Sequence, residues 1–282
     1  MKPLKIAILW HQHQPDYKLN KEFILPWTRF HAVKDYYDLP EVLHEFPEIK
    51  QTFNIVPSLN LQIFDYINGV KDRVQKLSLK NAKDLTDEDK RNILDQFFIC
   101  HVEKLVKPYP RYKKLYETAR DKDTAMKEFD EQDWRDLQMW YNLTWFGYYS
   151  RQPKSVARFF QKGENFTENE KKIILDLQDH IMKEIMPQYS HLREIGQIDV
   201  SVTPMYHPIL PLLCDSKSMH EAMPDSDLPD PLFQYPRDAD AQINKACDHF
   251  REIFSDHPAG MWPSEGSVSD KTLELIAKNG LR

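Results

Sequence analysis

Residues 7–15, AILWHQHQP, place a short apolar run directly before four polar side chains. Residues 5–10 have the length and composition of a buried β-strand, and the alternating histidines and glutamines end at Pro15. The interior of a buried strand does not accommodate four polar side chains in a row. We therefore expect His11 and His13 at the exit of this strand, in a plain loop or at a site where they face a ligand.

Three later segments repeat this pattern of a strand that ends beside proline and polar residues. They are IKQTFNIVP at 49–57, IDVSVTPMYHP at 198–208 and GMWPSEG at 260–266. Residues 28–46 lie between the first two strands and show helical spacing, so the strand, helix, strand order predicts a parallel sheet in an α/β fold. In a parallel barrel, sites form at the carboxyl ends of the strands. We expect these four exits to converge.

The middle of the chain, about 61–195, is predicted to be mainly helical. Residues 87–106 read as one helix, and Thr167 to Glu170 forms a capping-box pattern ahead of an apolar helical face. Seven aromatic residues between 134 and 149 are expected to pack the core, with a glycan-binding surface as the alternative. They are Trp134, Trp140, Tyr141, Trp145, Phe146, Tyr148 and Tyr149.

Composition excludes several functional classes. The 282 residues are 41% hydrophobic and 12% aromatic, enough for a substantial core. Basic residues number 38 against 44 acidic ones and are scattered, so no nucleic-acid partner is expected. No apolar run has the length of a signal peptide core or a membrane span, so we expect a cytoplasmic protein without a membrane partner. Three distant cysteines predict reduced thiols, and nothing indicates an oligomeric state.

His11 and His13 would lie on the same side of an extended chain, as in metal-binding strands. They could equally donate hydrogen bonds to a sugar, or have no function in a loop. A metal site needs a third ligand, and no signature such as His-Glu-x-x-His identifies one. The other candidates are His31, His44, His101 and His207.

Trp262 and Glu265 form the second suggestive pair. An indole can stack on the apolar face of a sugar ring, and a carboxylate near the anomeric carbon can attack it or stabilise positive charge there. The alternatives are a core tryptophan and a solvated glutamate. His207, between Pro204 and Pro208, can donate to a sugar hydroxyl or simply cap a helix.

In order, HQHQP, GQIDVSVTPMYHPILPLL at 196–213 and GMWPSEGSVSD at 260–270 resemble the first three motifs of glycoside hydrolase family 57. PWTRFHAVKDYYDLP at 26–40 and TFNIVPSL at 52–59 are also similar to early segments of that family. The resemblance implies an incomplete (β/α)7 TIM-like barrel over 1–282, with a large helical insertion at about 61–195. It implies a retaining enzyme for α-1,4-glucans or maltooligosaccharides, most similar to α-amylase-like and amylopullulanase-like members, with no cofactor.

The resemblance also implies roles for individual residues. Glu265 takes the position of the catalytic nucleophile, and Trp262 lines a sugar subsite. His11, His13 and His207 contact the bound sugar rather than a metal. Three further residues are expected to support them: Arg29, His31 and Asn54.

One departure from the family pattern concerns the general acid. Family members supply it as an aspartate in a fourth motif well beyond the third, whereas 17 residues follow Glu265 here. We therefore expect the amino-terminal portion of such an enzyme, truncated before the last strands and inactive by itself. Three alternatives stay open: a 4-α-glucanotransferase, a metal-dependent polysaccharide deacetylase, and a non-catalytic glucan-binding fragment.

Overall fold

The computed structural model describes residues 4–281, and its contacts divide the chain into two compact units. The first unit comprises the described residues of Met1–Asp16, Phe46–Gln62 and Met186–Arg282. The second comprises Tyr17–Glu45 and Ile63–Ile185. The sequence-based helical insertion at about 61–195 overlaps the second unit, which also takes in the earlier segment Tyr17–Glu45.

The strands and helices have the following bounds. The strands are β1 Leu9–Gln12, β2 Lys18–Leu19, β3 Glu22–Phe23, β4 Gln51–Ile55 and β5 Ile198–Ser201. The helices are α1 Trp27–His31, α2 Tyr37–Glu45, α3 Pro57–Ile67, α4 Arg73–Leu79, α5 Asp87–Gln96, α6 Val102–Leu105, α7 Pro110–Ala119, α8 Lys122–Glu128, α9 Glu131–Leu143, α10 Lys154–Lys162, α11 Glu168–Glu194, α12 Leu210–Cys214, α13 Met219–Ala222, α14 Pro236–Phe254 and α15 Asp270–Lys278. A π-helical segment, Ala32–Tyr36, joins α1 to α2.

The first unit is built on a parallel sheet in the order β1-β4-β5. Its register aligns His11 of β1 with Asn54 of β4, and Asn54 with Ser201 of β5. A parallel bridge between Val202 and Met261 follows on beyond β5. The α/β fold with a parallel sheet is therefore confirmed.

The first strand lies later in the chain than residues 5–10, so its predicted position is wrong. Ile6 is 78% exposed, whereas Gln12 is buried and donates from Nε2 to the hydroxyl oxygen of Tyr189 at 2.6 Å. Strand length is set by pairing with β4 rather than by hydropathy, so β1 extends through two polar residues. His11 consequently lies inside the strand, and only His13 follows it.

The single helix predicted over 87–106 is also wrong, because α5 ends at Gln96 and α6 begins at Val102. Phe97 is buried and its carbonyl accepts a hydrogen bond from the Tyr112 hydroxyl at 2.5 Å. That tertiary contact takes the carbonyl that a continuing helix would use, so the helix stops.

Other helical predictions are confirmed. At the start of α11, the backbone N–H of Thr167 donates to Glu170 and the N–H of Glu170 donates to Thr167 Oγ1, which is the predicted capping box. Five of the seven aromatic residues are buried, as expected for a core role: Trp134, Trp140, Tyr141, Trp145 and Phe146. Tyr148 is exposed, and Tyr149 is half-buried.

The described residues contain no helix that combines the length and the apolar composition of a membrane span. All three cysteines are free thiols, as predicted, and Cys214 and Cys247 are buried.

A buried ion pair organises the helical second unit. Arg29 and Asp72 are both fully buried, with Nε 2.7 Å from Oδ2. The guanidinium also donates from Nη1 to Asn142 at 3.0 Å and to Gln178 at 2.5 Å, while Asp72 accepts from the Tyr66 hydroxyl at 3.0 Å. Removing one partner of such a pair leaves an uncompensated buried charge.

Asp72→Asn is expected to lower the free energy of unfolding by about 3–5 kcal/mol, because the Arg29 charge loses its counter-ion without access to water. Urea unfolding followed by tryptophan fluorescence measures the change. The matched control is Asp176→Asn, which breaks an exposed i,i+4 pair with Lys172 and should cost less than about 1 kcal/mol. Equal losses for the two variants would contradict a structural role for the buried pair.

Candidate active site

Three histidines meet at the carboxyl end of the parallel sheet. His11 lies in β1, His13 follows that strand, and His207 lies in the loop after β5. Their ring centroids are 5.7 Å apart for His11 and His13, 5.1 Å for His11 and His207, and 4.2 Å for His13 and His207, which stack. One ring nitrogen from each lies within 4.8 Å of the other two. We call these residues the histidine cluster.

Asn54 orients the first member of the cluster. Its amide nitrogen donates to Ser201 Oγ at 3.0 Å and to the Ser201 carbonyl at 3.4 Å, which turns Oδ1 toward His11. Oδ1 lies 2.7 Å from His11 Nδ1. Because an amide oxygen only accepts hydrogen bonds, the tautomer that fits this contact carries the proton on His11 Nδ1 and the lone pair on Nε2.

His207 is held in an unusual backbone conformation. Its φ of +57° is in the left-handed region, and its N–H donates to the Pro204 carbonyl at 2.9 Å. The side chain is 5% exposed, and Nε2 is buried without a hydrogen-bond partner among residues 4–281. Buried polar atoms normally have hydrogen-bond partners, so His207 Nε2 is a candidate to bind a ligand.

Burial favours the neutral form of two members of the cluster, His13 and His207. Desolvation, followed by the neighbouring His207 and His11, lowers the pKa of His13 to about 4, against an opposing effect of Glu265. Desolvation and then His11 also lower the pKa of His207. At neutral pH each of these two rings therefore offers one donor and one acceptor, which suits hydroxyl groups or a metal ion.

Glu265 stands beside the cluster with an open carboxylate. Its Oε1 lies 3.8 Å from His207 Nδ1, its side chain is 67% exposed, and its backbone has φ +57°. Trp262 is joined to the sheet by its N–H, which donates to the Val202 carbonyl at 2.8 Å, and its indole is 42% exposed. The Glu265 carboxylate and the accessible Trp262 indole thus both follow Met261, the residue that pairs with Val202 beyond β5.

Arg29 and His31 belong to the second unit. The Arg29 guanidinium is bonded inside that unit, as described above. His31 Nδ1 lies 2.5 Å from Asp35 Oδ2, and its ring meets Trp145 edge-on. Their predicted support of a sugar site stays a prediction, whereas Asn54 contacts the histidine cluster directly.

The sequence did not single out Ser201, which fixes the Asn54 amide. Ser201 is a polar residue at the last position of β5 and is in register with Asn54, and this is the sequence feature that could have identified it. The sequence also contains no spacing that pairs His207 with His11 and His13. The structure supplies that third imidazole from a residue almost two hundred positions away.

The family model for glycosyl hydrolase family 57 matches residues 7–282, so the chain belongs to this family. The resemblance of the three ordered motifs is thereby confirmed. No curated protein sequence matches the chain.

Three solved structures are similar to the chain at low identity. They are the α-amylase AmyC from Thermotoga maritima (16% identity, TM-score 0.48), a family 57 branching enzyme from Thermococcus kodakaraensis (15%, 0.44) and a branching enzyme of the same type from Pyrococcus horikoshii (15%, 0.41). The matches cover 99%, 98% and 92% of this chain but 38%, 38% and 34% of those chains. The chain therefore spans less than two-fifths of their length.

Asn54→Leu is expected to remove the tautomer preference of His11, because the acceptor that holds the proton on Nδ1 is lost. Long-range ¹H–¹⁵N correlation spectra of metal-free protein distinguish the two tautomers. The control is Asn244→Leu, which should leave the His11 tautomer unchanged, since Asn244 is exposed and its amide donates to Asn279 Oδ1. A His11 proton on Nε2 in the unaltered protein would contradict the arrangement described here.

Proposed function

We propose that the chain forms the nucleophile side of a retaining α-glucan hydrolase of the α-amylase type, acting on α-1,4-glucans and maltooligosaccharides. The observation that carries the proposal is the open Glu265 carboxylate beside neutral imidazoles and an accessible indole. Family membership supplies the reaction class. The architecture proposed around it is an incomplete (β/α)7 barrel.

Glu265 is the proposed nucleophile. In the first step a carboxylate oxygen bonds to the anomeric carbon, the glycosidic C–O bond breaks, and the leaving oxygen takes that electron pair with a proton from a general acid. In the second step the general acid, now acting as base, takes a proton from water, the water oxygen bonds to the anomeric carbon, and the bond to the carboxylate breaks so that the carboxylate is restored. The general acid, about 5 Å from the nucleophile in retaining enzymes, is proposed to come from sequence outside these 282 residues.

The lowered pKa values of His13 and His207 support this role. A charged imidazolium 3.8 Å from Glu265 would attract the carboxylate and weaken it as a nucleophile. Burial opposes that charge on His207, so the carboxylate stays available. His11, His13 and His207 are then proposed to exchange hydrogen bonds with the hydroxyls of the sugar whose anomeric carbon is attacked.

Glu265→Gln is expected to abolish covalent labelling by an activated α-glucosyl fluoride that carries a second fluorine to slow hydrolysis of the intermediate. The rate should fall by at least about a thousandfold, because the bond-forming oxygen is gone. Fluoride leaves without receiving a proton from a general acid, so the 282-residue chain itself can be used in this labelling experiment. Mass spectrometry of peptides locates the label.

The matched control is Glu274→Gln, since Glu274 is exposed to the same extent on α15 and pairs only with Lys271 among the ion pairs of the described residues. Its labelling should equal that of the unaltered chain. A label on another carboxylate, or persistent labelling of Glu265→Gln, would remove Glu265 from the nucleophile role.

Trp262→Ala is expected to weaken maltoheptaose binding by about two- to tenfold, the loss of one ring-stacking contact worth roughly 0.5–1.5 kcal/mol. Isothermal titration calorimetry measures the dissociation constant. Trp10→Ala is the control, because Trp10 is 40% exposed but lies next to His11 in β1, where successive side chains point to opposite faces. Equal weakening by both variants would contradict a sugar subsite at Trp262.

A further inference from the structure

We propose that His11, His13 and His207 form a binding site for a divalent transition-metal ion, with Zn²⁺ the best match. The inference does not rest on the proposed glucan chemistry, since it concerns only the geometry and the donor chemistry of the histidine cluster. Imidazole is a preferred ligand of zinc, copper and nickel, and three imidazoles with one open position is a recurrent zinc arrangement.

The distances are close to those that a metal requires. Zinc binds imidazole nitrogens at about 2.0–2.1 Å, so nitrogens at the corners of a tetrahedron lie roughly 3.3 Å apart. The three ring nitrogens here lie within 4.8 Å of one another. Bringing them onto one ion requires each nitrogen to move by less than about 1 Å, and it requires the stacked rings of His13 and His207 to turn so that their in-plane lone pairs converge.

The partners of His11 are those expected around a metal ligand. Metal-bound histidines almost always donate their second ring N–H to a carboxylate, a carbonyl or water, which fixes the ring and the tautomer. Asn54 Oδ1 does this at 2.7 Å, and its own amide is held by Ser201. The lone pair of the neutral His11 ring is thereby placed on Nε2, the nitrogen that can bind an ion.

His207 contributes a second, independent observation. Its Nε2 is buried without a partner among residues 4–281, while its Nδ1 lies 3.8 Å from Glu265. A nitrogen in this state is satisfied by an ion as well as by a hydroxyl. His207 has a left-handed backbone, which is strained for a residue with a side chain, and its ring stacks on His13. Strained backbone of this kind is concentrated at ligand sites.

Metal and sugar would use the same nitrogens, so their binding should be mutually exclusive. Glu265 Oε1 lies 3.8 Å from His207 Nδ1, but Glu265 is not among the three residues whose ligand atoms lie within 4.8 Å of one another. A bound ion would therefore take the ring nitrogens that are proposed to bind the sugar hydroxyls, and its fourth coordination position would stay open. The site thus offers a direct chemical route by which transition metals would compete with glucan.

The experiment titrates ZnCl₂ into the tag-free 282-residue chain after chelator treatment, by isothermal titration calorimetry, and repeats the titration with Co²⁺ to obtain visible absorption spectra. We expect one ion per chain and tetrahedral cobalt absorption. Asn54→Leu should weaken zinc binding by about 10- to 100-fold, the usual cost of losing an outer partner, and His207→Ala should weaken it further. His220→Ala is the control, because His220 is an exposed histidine that bonds to the Ser226 carbonyl, and it should bind zinc unchanged.

His207→Cys separates ligation from a structural effect. A thiolate is also a zinc ligand, so this variant should retain binding, and with Co²⁺ it should gain a sulfur-to-metal charge-transfer band in the near ultraviolet. Circular dichroism checks that each variant is folded. No zinc binding by the unaltered chain, equal affinity in His207→Ala, or a cysteine variant without the new band would each overturn the proposal.

Discussion

The buried amide of Asn54 is the contact on which the arrangement of the site depends. It lies in the central strand of the parallel sheet, donates to Ser201 on one neighbouring strand and accepts from His11 on the other. A hydroxyl or a carboxylate at this position could make only some of these hydrogen bonds, because a hydroxyl has one donor and an ionised carboxylate has none. The backbone register and the side-chain hydrogen bonds therefore specify the same alignment of three strands, and the orientation of His11 follows from it.

The electrostatic state of the site follows from where the chain places its histidines. Three imidazoles packed together repel one another when charged, and burial adds the cost of desolvation. Both effects favour the neutral form of His13 and His207. In the neutral form an imidazole has a lone pair, so the packing that keeps these rings neutral also makes them capable of binding either a hydroxyl or a cation. The adjacent Glu265 carboxylate lies 3.8 Å from His207 Nδ1.

Much of the site could be predicted because its residues occupy strand ends, which hydropathy and proline positions reveal. Hydropathy and proline positions predict strand ends near His13, near Asn54 and before His207, and the family motifs add Glu265 and Trp262. Hydropathy failed for the exact position of β1, because a strand extends as far as its partner pairs with it, even through histidine and glutamine. Hydropathy also gives no sign that Arg29 is buried against Asp72, since no local pattern shows which distant acid an arginine will meet.

The left-handed backbone at His207 and Glu265 has a consequence for how this region can vary. Glycine would adopt either conformation without steric cost, whereas a side chain with a β-carbon raises the energy of the folded backbone. Substitution by glycine would relieve that strain and at the same time delete an imidazole or a carboxylate from the site. At these two positions, selection for a more stable fold and selection for a working site favour different amino acids. Variants chosen only for thermal stability are therefore liable to lose the chemistry first at this point in the chain.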